Sequence, residues 1–281
     1  MNGSPLDIAA RPRMRTLAVT SGKGGVGKSN LAVNVALELA ALGRRISLFD
    51  ADLALANADV LLGLNPQYHL GHVLAGQRSL DEVVIDVEEG LRLIPGGSGG
   101  EELANLTLLQ HAQLMEELQA LDADCMIIDT AAGIAGNVTG VLRAADEIIV
   151  VTTPDPTSIV DAYAMIKVLQ QQAPAKPISI VVNNVVGVGD ADRIFAHLQT
   201  TATRFLNCRL AHLGTVPRDA ELAEAVREQV PVVWYAPNSP ASRAMRLIAR
   251  QLDRQLPWQT KRKAGHPAWS AIDTYEPLRS H

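Results

Sequence analysis

The amino-acid sequence predicts an α/β fold: a doubly wound, mainly parallel sheet of seven or eight strands with helices on both faces. Two observations carry this prediction. Apolar, partly β-branched runs of strand length recur along the chain, as is typical of buried parallel strands; they cover residues 16–20, 45–49, 91–94, 125–129, 147–152 and 178–185. Helical spacing of apolar residues appears between or after them, over residues 30–42, 107–121, from 157 onward, and 241–256.

Length and composition indicate one domain with short extensions. The chain has 281 residues, of which 47% are hydrophobic. We expect a flexible arm over residues 1–14, the domain over 15–256 and a disordered tail over 257–281. A net charge of −5 gives no general electrostatic attraction to nucleic acid, so a nucleic-acid partner is not expected.

The cysteine content and the hydropathy of the sequence indicate in which cellular compartment the protein is expected. Cys125 and Cys208 lack metal-ligand spacing, which favours a reducing, cytoplasmic setting. The sequence has no apolar run of the length that spans a bilayer and no apolar core of a signal peptide.

A glycine-rich segment follows the first predicted strand and precedes the first predicted helix. It reads SGKGGVGKS over residues 21–29 and fits the phosphate-binding pattern G-x-x-x-x-G-K-[ST] through Gly22, Gly27, Lys28 and Ser29. Glycines let backbone N–H groups turn toward bound oxygens, and the helix N-terminus adds the positive end of its dipole. Lys28 is expected to reach the β- and γ-phosphates, and Ser29 to ligate Mg²⁺.

Aspartates follow two of the predicted strands. Asp50 and Asp52 come after the second strand, and Asp129 ends an apolar strand in the Walker B manner. Ligands bind outside the carboxyl ends of strands in open α/β sheets, so these side chains are expected beside the phosphates. We expect Asp52 to orient an attacking water, Asp50 to support Mg²⁺ through its hydration shell and Asp129 to hold Mg²⁺. A pair of turn-forming aspartates is the alternative for Asp50 and Asp52.

Lys23 departs from the plain phosphate-binding pattern. With it, the string Lys-Gly-Gly-Val-Gly-Lys-Ser resembles the deviant P-loop (deviant Walker A) of the ParA/MinD ATPase family. The resemblance implies ATP and Mg²⁺ as cofactors, hydrolysis of ATP to ADP and phosphate, and a homodimer formed when ATP is bound. It also implies that Lys23 reaches the partner's nucleotide and acts there as an arginine finger does, so that dimerisation stimulates hydrolysis.

Further segments narrow the resemblance to the flagellar-number regulators of the MinD branch, FlhG or FleN. The string over residues 52–64 is similar to theirs, as are 68–76, 90–99 and 225–231. Asn57 would then lie in a nucleotide-responsive switch loop, and Asp155 and Asp161 would be cross-dimer contacts. The resemblance implies that Asn183 hydrogen-bonds adenine and that residues 214–219 form a loop over the base. The implied nucleotide-binding residues are Gly22, Lys23, Gly24, Gly25, Val26, Gly27, Lys28, Ser29, Asn183, Pro217 and Arg218.

The same resemblance implies control of flagellar number or placement. Implied partners are flagellar C-ring (switch-complex) proteins, a partner flagellar GTPase or a flagellar transcription activator. The N-terminal GTPase-activating motif of these regulators is degenerate here, since Pro12 would interrupt its helix. Two other classes stay open: a DNA-partitioning ATPase, and a nucleotide-binding regulatory subunit with little hydrolysis.

The last predicted helix admits two interpretations. It either caps the domain or lies on a membrane surface as a basic amphipathic helix, which would place the protein peripherally at the inner face of the membrane or at the cell pole. Its spacing groups Leu247 and Gln255 with Ala244, Ile248 and Leu252 on one apolar face. Elsewhere, Phe205 and Trp234 are expected in the core.

Overall fold

The sheet of this protein has eight strands in the order β3-β4-β2-β5-β1-β6-β7-β8. The computed structural model describes residues 14–52, 56–97, 108–134, 136–174 and 176–255. The strands are β1 (Arg15–Thr20), β2 (Ile46–Ala51), β3 (Ile85–Glu88), β4 (Leu91–Ile94), β5 (Cys125–Thr130), β6 (Glu147–Thr152), β7 (Ile178–Val185) and β8 (Leu210–Pro217). Among these described strands only β3, at one edge, pairs antiparallel, which confirms the predicted mainly parallel sheet.

Helices cover both faces of the sheet. They are α1 (Lys28–Ala41), α2 (Ala58–Leu61), α3 (Leu70–Leu74), α4 (Leu80–Val83), α5 (Leu108–Gln119), α6 (Gly136–Ala144), α7 (Pro156–Gln172), α8 (Asp190–Leu206), α9 (Ala220–Arg227), α10 (Val232–Tyr235) and α11 (Pro240–Gln255). One apolar core lies under α1, α10 and α11, and a second lies under α5 to α8. Strands β5 and β6 are buried along their whole length, and their alternating side chains pack into both cores.

The central strands bring the motif-bearing loops to one edge of the sheet. β1 lies between β5 and β6, and β5 in turn pairs with β2. In the β2–β5 register Asp50 is directly opposite Asp129. The phosphate-binding segment leaves the carboxyl end of β1, so it and both aspartates meet at the same edge, as the sequence predicts.

Helix α11 caps the domain. Ala241, Ala244, Met245, Ile248, Ala249 and Leu252 are buried against the α1 side of the sheet and β8. This confirms the capping interpretation. The assignment of Leu247 and Gln255 to the apolar face is wrong: Leu247 is 64% exposed and Gln255 is exposed. The buried residues of α11 centre on one side of the helix, and at 100° per residue Leu247 lies about 140° from that centre.

Two other expectations need correction. Residues 214–217, expected in a loop, belong to β8, because Gly214 and Thr215 pair with Val181 and Val182 of β7. Phe205, expected in the core, is 64% exposed at the end of α8, where the Arg204 guanidinium lies 5.2 Å from its ring.

Several sequence predictions fall outside the described residues. These are the N-terminal arm up to residue 13, part of the 52–64 string (residues 53–55), residues 98–99 of the glycine-rich turn and the tail over 257–281. Met14, which precedes β1, is buried in the second core. Across the described ranges, no helix combines the length and apolarity needed to cross a bilayer.

Candidate functional site

A glycine-rich loop joins β1 to α1 and presents backbone N–H groups at the start of the helix. Gly27 is the N-cap of α1, with φ of 91°, and among the described residues no side chain caps the helix. The N–H groups of the first turn of a helix have no partner within the helix. A loop of this kind, opening a helix after a buried strand, is suited to bind phosphate oxygens.

Neighbouring segments hold the loop in place. The Gly133 N–H donates to the Ser21 carbonyl oxygen (2.9 Å), which links the loop after β5 to the start of the glycine-rich loop. The Asn183 amide nitrogen donates to the Val26 carbonyl oxygen (2.8 Å). A Cβ added to Gly22 would lie 2.1 Å from the carbonyl oxygen of Asp161, so α7 packs directly on the loop.

Lys28 lies at the inner end of the loop and is 8% exposed. Burial lowers the pKa of its ammonium group, and the carboxylates of Asp129 and Asp52 oppose that change. The three groups are therefore close enough to interact electrostatically.

Asp129 is a buried carboxylate with unmet hydrogen-bonding capacity. It is 1% exposed, and among the described residues neither of its oxygens has a hydrogen-bond partner of normal geometry, although the Ser29 hydroxyl lies near enough to lower its pKa. Burial and the neighbouring Asp50 carboxylate raise the pKa of Asp129 to about 7, against the effect of the nearby Ser29 hydroxyl and Lys28 ammonium groups. Buried unpartnered carboxylates are rare in folded proteins, and a bound cation accounts for such a group.

Asp50 is also buried but is fully engaged. One carboxylate oxygen accepts the Asp52 N–H (3.1 Å), and the other accepts the N–H groups of Asn57 and Ala58 (both 2.9 Å). Burial raises the pKa of Asp50 to about 6, although these three hydrogen bonds lower it. Asp50 thus holds the backbone at Asp52 and again at Asn57 and Ala58. The Asn57 residue is exposed.

These groups fit Mg²⁺ better than a metal held wholly by protein. In the described part of the chain, no group of three or more His, Cys, Asp and Glu side chains is arranged to hold a metal ion. Two carboxylates and the Ser29 hydroxyl at a phosphate-binding loop are instead a sparse oxygen set. Mg²⁺ is commonly bound in that way, since it keeps several waters and takes phosphate oxygens as ligands.

A cleft of about 480 Å³ opens along the outer side of the loop. Its lining includes Lys23, Gly25, Asp155, Asn184 and Arg218. A volume of this size is in the range of small-molecule sites.

The ends of β7 and β8 form one wall of this cleft. Pro217 is in register with Val185, and the Arg218 N–H donates to the Val185 carbonyl oxygen (2.8 Å). Arg218 therefore lies at the cleft, whereas Asn183 points its amide into the back of the glycine-rich loop.

Lys23 lies at the exposed rim of the loop and pairs with its own chain. Its ammonium group donates to Asp155 (2.8 Å) and to the Thr157 hydroxyl (2.6 Å), at the N-terminus of α7. The hydrogen bonds from Lys23 and Thr157 hold the pKa of the Asp155 carboxyl well below its usual range. The sequence did not predict this contact, because a loop lysine and a helix-capping aspartate 132 positions apart share no motif.

The fold and this site define a P-loop nucleotide-binding protein. Residues 17–232 match the family model described as the CobQ/CobB/MinD/ParA nucleotide binding domain, and the chain belongs to that family. The resemblance to the ParA/MinD family that the sequence indicated is thereby confirmed.

Individual relatives extend this result. The chain is 40% identical over 242 residues to the antiactivator FleN of Pseudomonas aeruginosa, covering 85% of this chain and 86% of FleN. It is 35% identical to the flagellum site-determining protein YlxH of Helicobacter pylori, covering 85% and 82%. The structure of the septum site-determining protein MinD from Pyrococcus horikoshii in complex with Mg-ADP has a TM-score of 0.72 at 25% identity, covering 86% and 96%.

Proposed function

We propose that this protein is an ATP-dependent dimerising switch that hydrolyses ATP to ADP and phosphate and regulates flagellar number or placement. The observation that carries the flagellar assignment is the 40% identity to the antiactivator FleN over 85% of the chain, together with the similarity to YlxH. Membership of the MinD/ParA family supports nucleotide hydrolysis, and the complex of the MinD relative with Mg-ADP supports the cofactors.

The glycine-rich loop would bind the phosphates of ATP. N–H groups over residues 22–29 would donate to phosphate oxygens, and Lys28 would neutralise the β- and γ-phosphates. Burial of Lys28 strengthens that interaction, because less water competes for the charge. Asn183 and the Pro217–Arg218 segment would contact the base. Asn183 would do so while its amide nitrogen also donates to the Val26 carbonyl oxygen of the loop.

Ser29, Asp129 and Asp50 would hold Mg²⁺, the last through water. When bound, Mg²⁺ supplies positive charge that stabilises the oxygens of the transferred phosphoryl group. The unpartnered oxygens of buried Asp129, among the residues that the structure describes, are the observation that favours this assignment.

Asp52 would orient the attacking water. It is half-buried, and its position is set by the hydrogen bond from its own N–H to Asp50. The effect of the Asp52 charge on the pKa of Lys28 supports this role, because Lys28 belongs to the proposed phosphate-binding loop. A carboxylate there can accept a proton from water as the water attacks the γ-phosphate.

Lys23 would serve the second subunit. Its side chain is 40% exposed, and its present partner Asp155 is 46% exposed, so the contact is open to exchange. When two ATP-bound chains meet, Lys23 would leave Asp155 and approach the nucleotide of the partner. Exposed apolar residues follow β5, lie on α7 and follow β7, and they would lie in the interface. These residues are Ile134, Val160, Val186 and Val188.

The output would be contact with flagellar proteins in the ATP-bound dimer. Candidate partners are C-ring (switch-complex) proteins, a flagellar GTPase and a flagellar transcription activator. The similarity to FleN, which is an antiactivator, favours the last of these.

The test uses Asp52→Ala, which should bind ATP and dimerise while turnover falls about 100-fold or more. A pull-down with this ATP-locked protein should recover flagellar components. Turnover equal to that of the unaltered chain would refute the role of Asp52. Absence of turnover in the unaltered chain would instead indicate a nucleotide-binding regulatory subunit, and recovery of DNA-segregation proteins alone would refute the flagellar output.

A further inference from the structure

The outward side of α11 carries a line of arginines around one leucine. Arg243, Leu247, Arg250 and Arg254 are all exposed, and we call them the arginine face. Their spacing of four, three and four residues places them along one side of the helix. At 1.5 Å per residue the line is about 16 Å long.

Two carboxylates on or beside α11 pair with arginines outside the arginine face. Asp253 pairs with Arg44 at 2.7 Å, and Glu38 accepts two hydrogen bonds from Arg246. The charge of Arg250 also lowers the pKa of Glu38, but the donor of both hydrogen bonds is Arg246. Within residues 14–255, as far as the structure describes them, no carboxylate lies within 4.0 Å of a guanidinium nitrogen of Arg243, Arg250 or Arg254. Among the described residues these three arginines therefore have no ion-pair partner, in a chain whose net charge is −5.

Leu247 adds an apolar contact in the middle of this charge. Its side chain is 64% exposed, and its neighbours along the line are charged. The opposite face of α11 is buried in the core, so the helix backbone that carries the arginine face is formed in advance. Binding therefore has to order only the exposed side chains.

We propose that the arginine face is the docking surface for an acidic amphipathic helix of a partner protein. Carboxylates spaced along such a helix would each take a bidentate pair of hydrogen bonds from a guanidinium group. An apolar residue between them would cover Leu247 and remove it from water.

Other occupants fit this face less well. A membrane would require an apolar helix face to insert, and that face of α11 is in the core. Nucleic acid would use the arginines but would leave Leu247 without an apolar partner, and the net charge of −5 does not favour its approach. The tail of this chain carries four cations, Lys261, Arg262, Lys263 and Arg279, against Asp273 and Glu276, so its net charge has the same sign as the arginine face.

The test uses the full-length chain and a synthetic helical peptide that presents glutamates and one leucine at the same four-three-four spacing. Fluorescence anisotropy should show saturable one-to-one binding, and backbone NMR shifts should map it to α11. A scrambled peptide of equal composition should bind at least tenfold more weakly. Arg243→Glu/Arg250→Glu/Arg254→Glu should abolish binding and leave ATP turnover unchanged.

Two variants separate specific docking from general charge attraction. Arg143→Glu/Lys167→Glu/Arg204→Glu makes the same change of net charge at exposed positions on α6, α7 and α8, which cover the other core, and should retain binding. Leu247→Gln keeps every arginine and should weaken binding of the peptide about fivefold or more. Circular dichroism and thermal melting confirm that each variant is folded.

The proposal is overturned if the matched and scrambled peptides bind equally, or if Leu247→Gln has no effect. It is also overturned if duplex DNA or vesicles of anionic phospholipid bind the same arginines more tightly than the peptide does at physiological salt.

Discussion

The Lys23 ammonium group lies 2.8 Å from the Asp155 carboxylate of its own chain, and it also donates to Thr157. The aspartate belongs to the N-terminus of α7, where it caps the helix by accepting the Thr157 N–H. In the proposed switch the same lysine serves the nucleotide of a second chain. Dimerisation must therefore break this contact first, which makes the contact a small cost of self-association.

Asp155→Asn is expected to strengthen ATP-dependent dimerisation. Asparagine caps helices as well as aspartate does but lacks the charge that holds Lys23. Because the contact is exposed, we expect a modest effect, a dimer dissociation constant roughly two- to fivefold lower. Sedimentation equilibrium with Mg-ATP measures it, and Asp192→Asn on exposed α8 is the matched control. Weaker dimerisation would mean that Asp155 makes the cross-dimer contact suggested by the sequence.

Asp129→Asn is expected to change the pH dependence of stability when nucleotide and Mg²⁺ are absent. The pKa of Asp129 is about 7 in the folded chain, against an ordinary value of 3.8 for an aspartate side chain. The folded state therefore binds more protons between about pH 4 and 7, and this contribution to stability is lost as the pH rises through that window. At pH 8 the variant should be more stable than the unaltered chain, by an amount on the order of a few kcal/mol. Near pH 4 the difference should vanish.

Urea denaturation across this pH range makes the measurement. Asp86→Asn, an exposed carboxylate on edge strand β3, is the control and should leave the pH profile unchanged. Mg-ATP should stabilise the unaltered chain at pH 8 but should stabilise Asp129→Asn much less. Equal stabilisation of both proteins would count against Asp129 as a holder of Mg²⁺.

Gly22→Ala and Gly24→Ala should differ sharply although both lie in the same loop. A Cβ at Gly22 would meet the Asp161 backbone of α7 at 2.1 Å, so loop or helix must move. We expect a loss of about 1–3 kcal/mol in the free energy of unfolding, and a loss of nucleotide affinity of tenfold or more. At Gly24 no atom of the described residues lies within 4 Å of the added carbon, so stability should change by less than about 0.5 kcal/mol. Thermal melting and fluorescent-nucleotide titration measure both effects; similar losses in the two variants would contradict the close packing of α7 on the loop.

Much of the site was predictable because its residues lie next to strongly patterned segments. Thr16 to Thr20 and the glycine-rich loop together fix where Lys28 and Ser29 lie. An apolar strand that ends in an aspartate placed Asp129 at the same edge. In both places local sequence and the parallel sheet point to the same arrangement.

Long-range pairings were beyond the sequence. Nothing local to Asn183 indicates that its amide supports the Val26 carbonyl, and nothing local to Lys23 indicates Asp155. Edge strand β3 was also not predicted, since its acidic, half-exposed residues lack the continuous apolar run of the buried strands. On α11, two adjacent apolar residues allowed either rotation of the helix, and only packing against α1 and β8 selects Ile248 over Leu247.

The measurement that tests the central claim most directly compares Lys23→Ala with the unaltered chain. ATP turnover and sedimentation are followed over the same range of protein concentration, with Mg-ATP saturating and Lys167→Ala as an exposed lysine control. We predict that turnover of the unaltered chain and of the control rises with protein concentration as dimers form. Lys23→Ala should bind ATP but should neither dimerise nor show that rise. Dimerisation and turnover of Lys23→Ala equal to those of the unaltered chain would contradict the account.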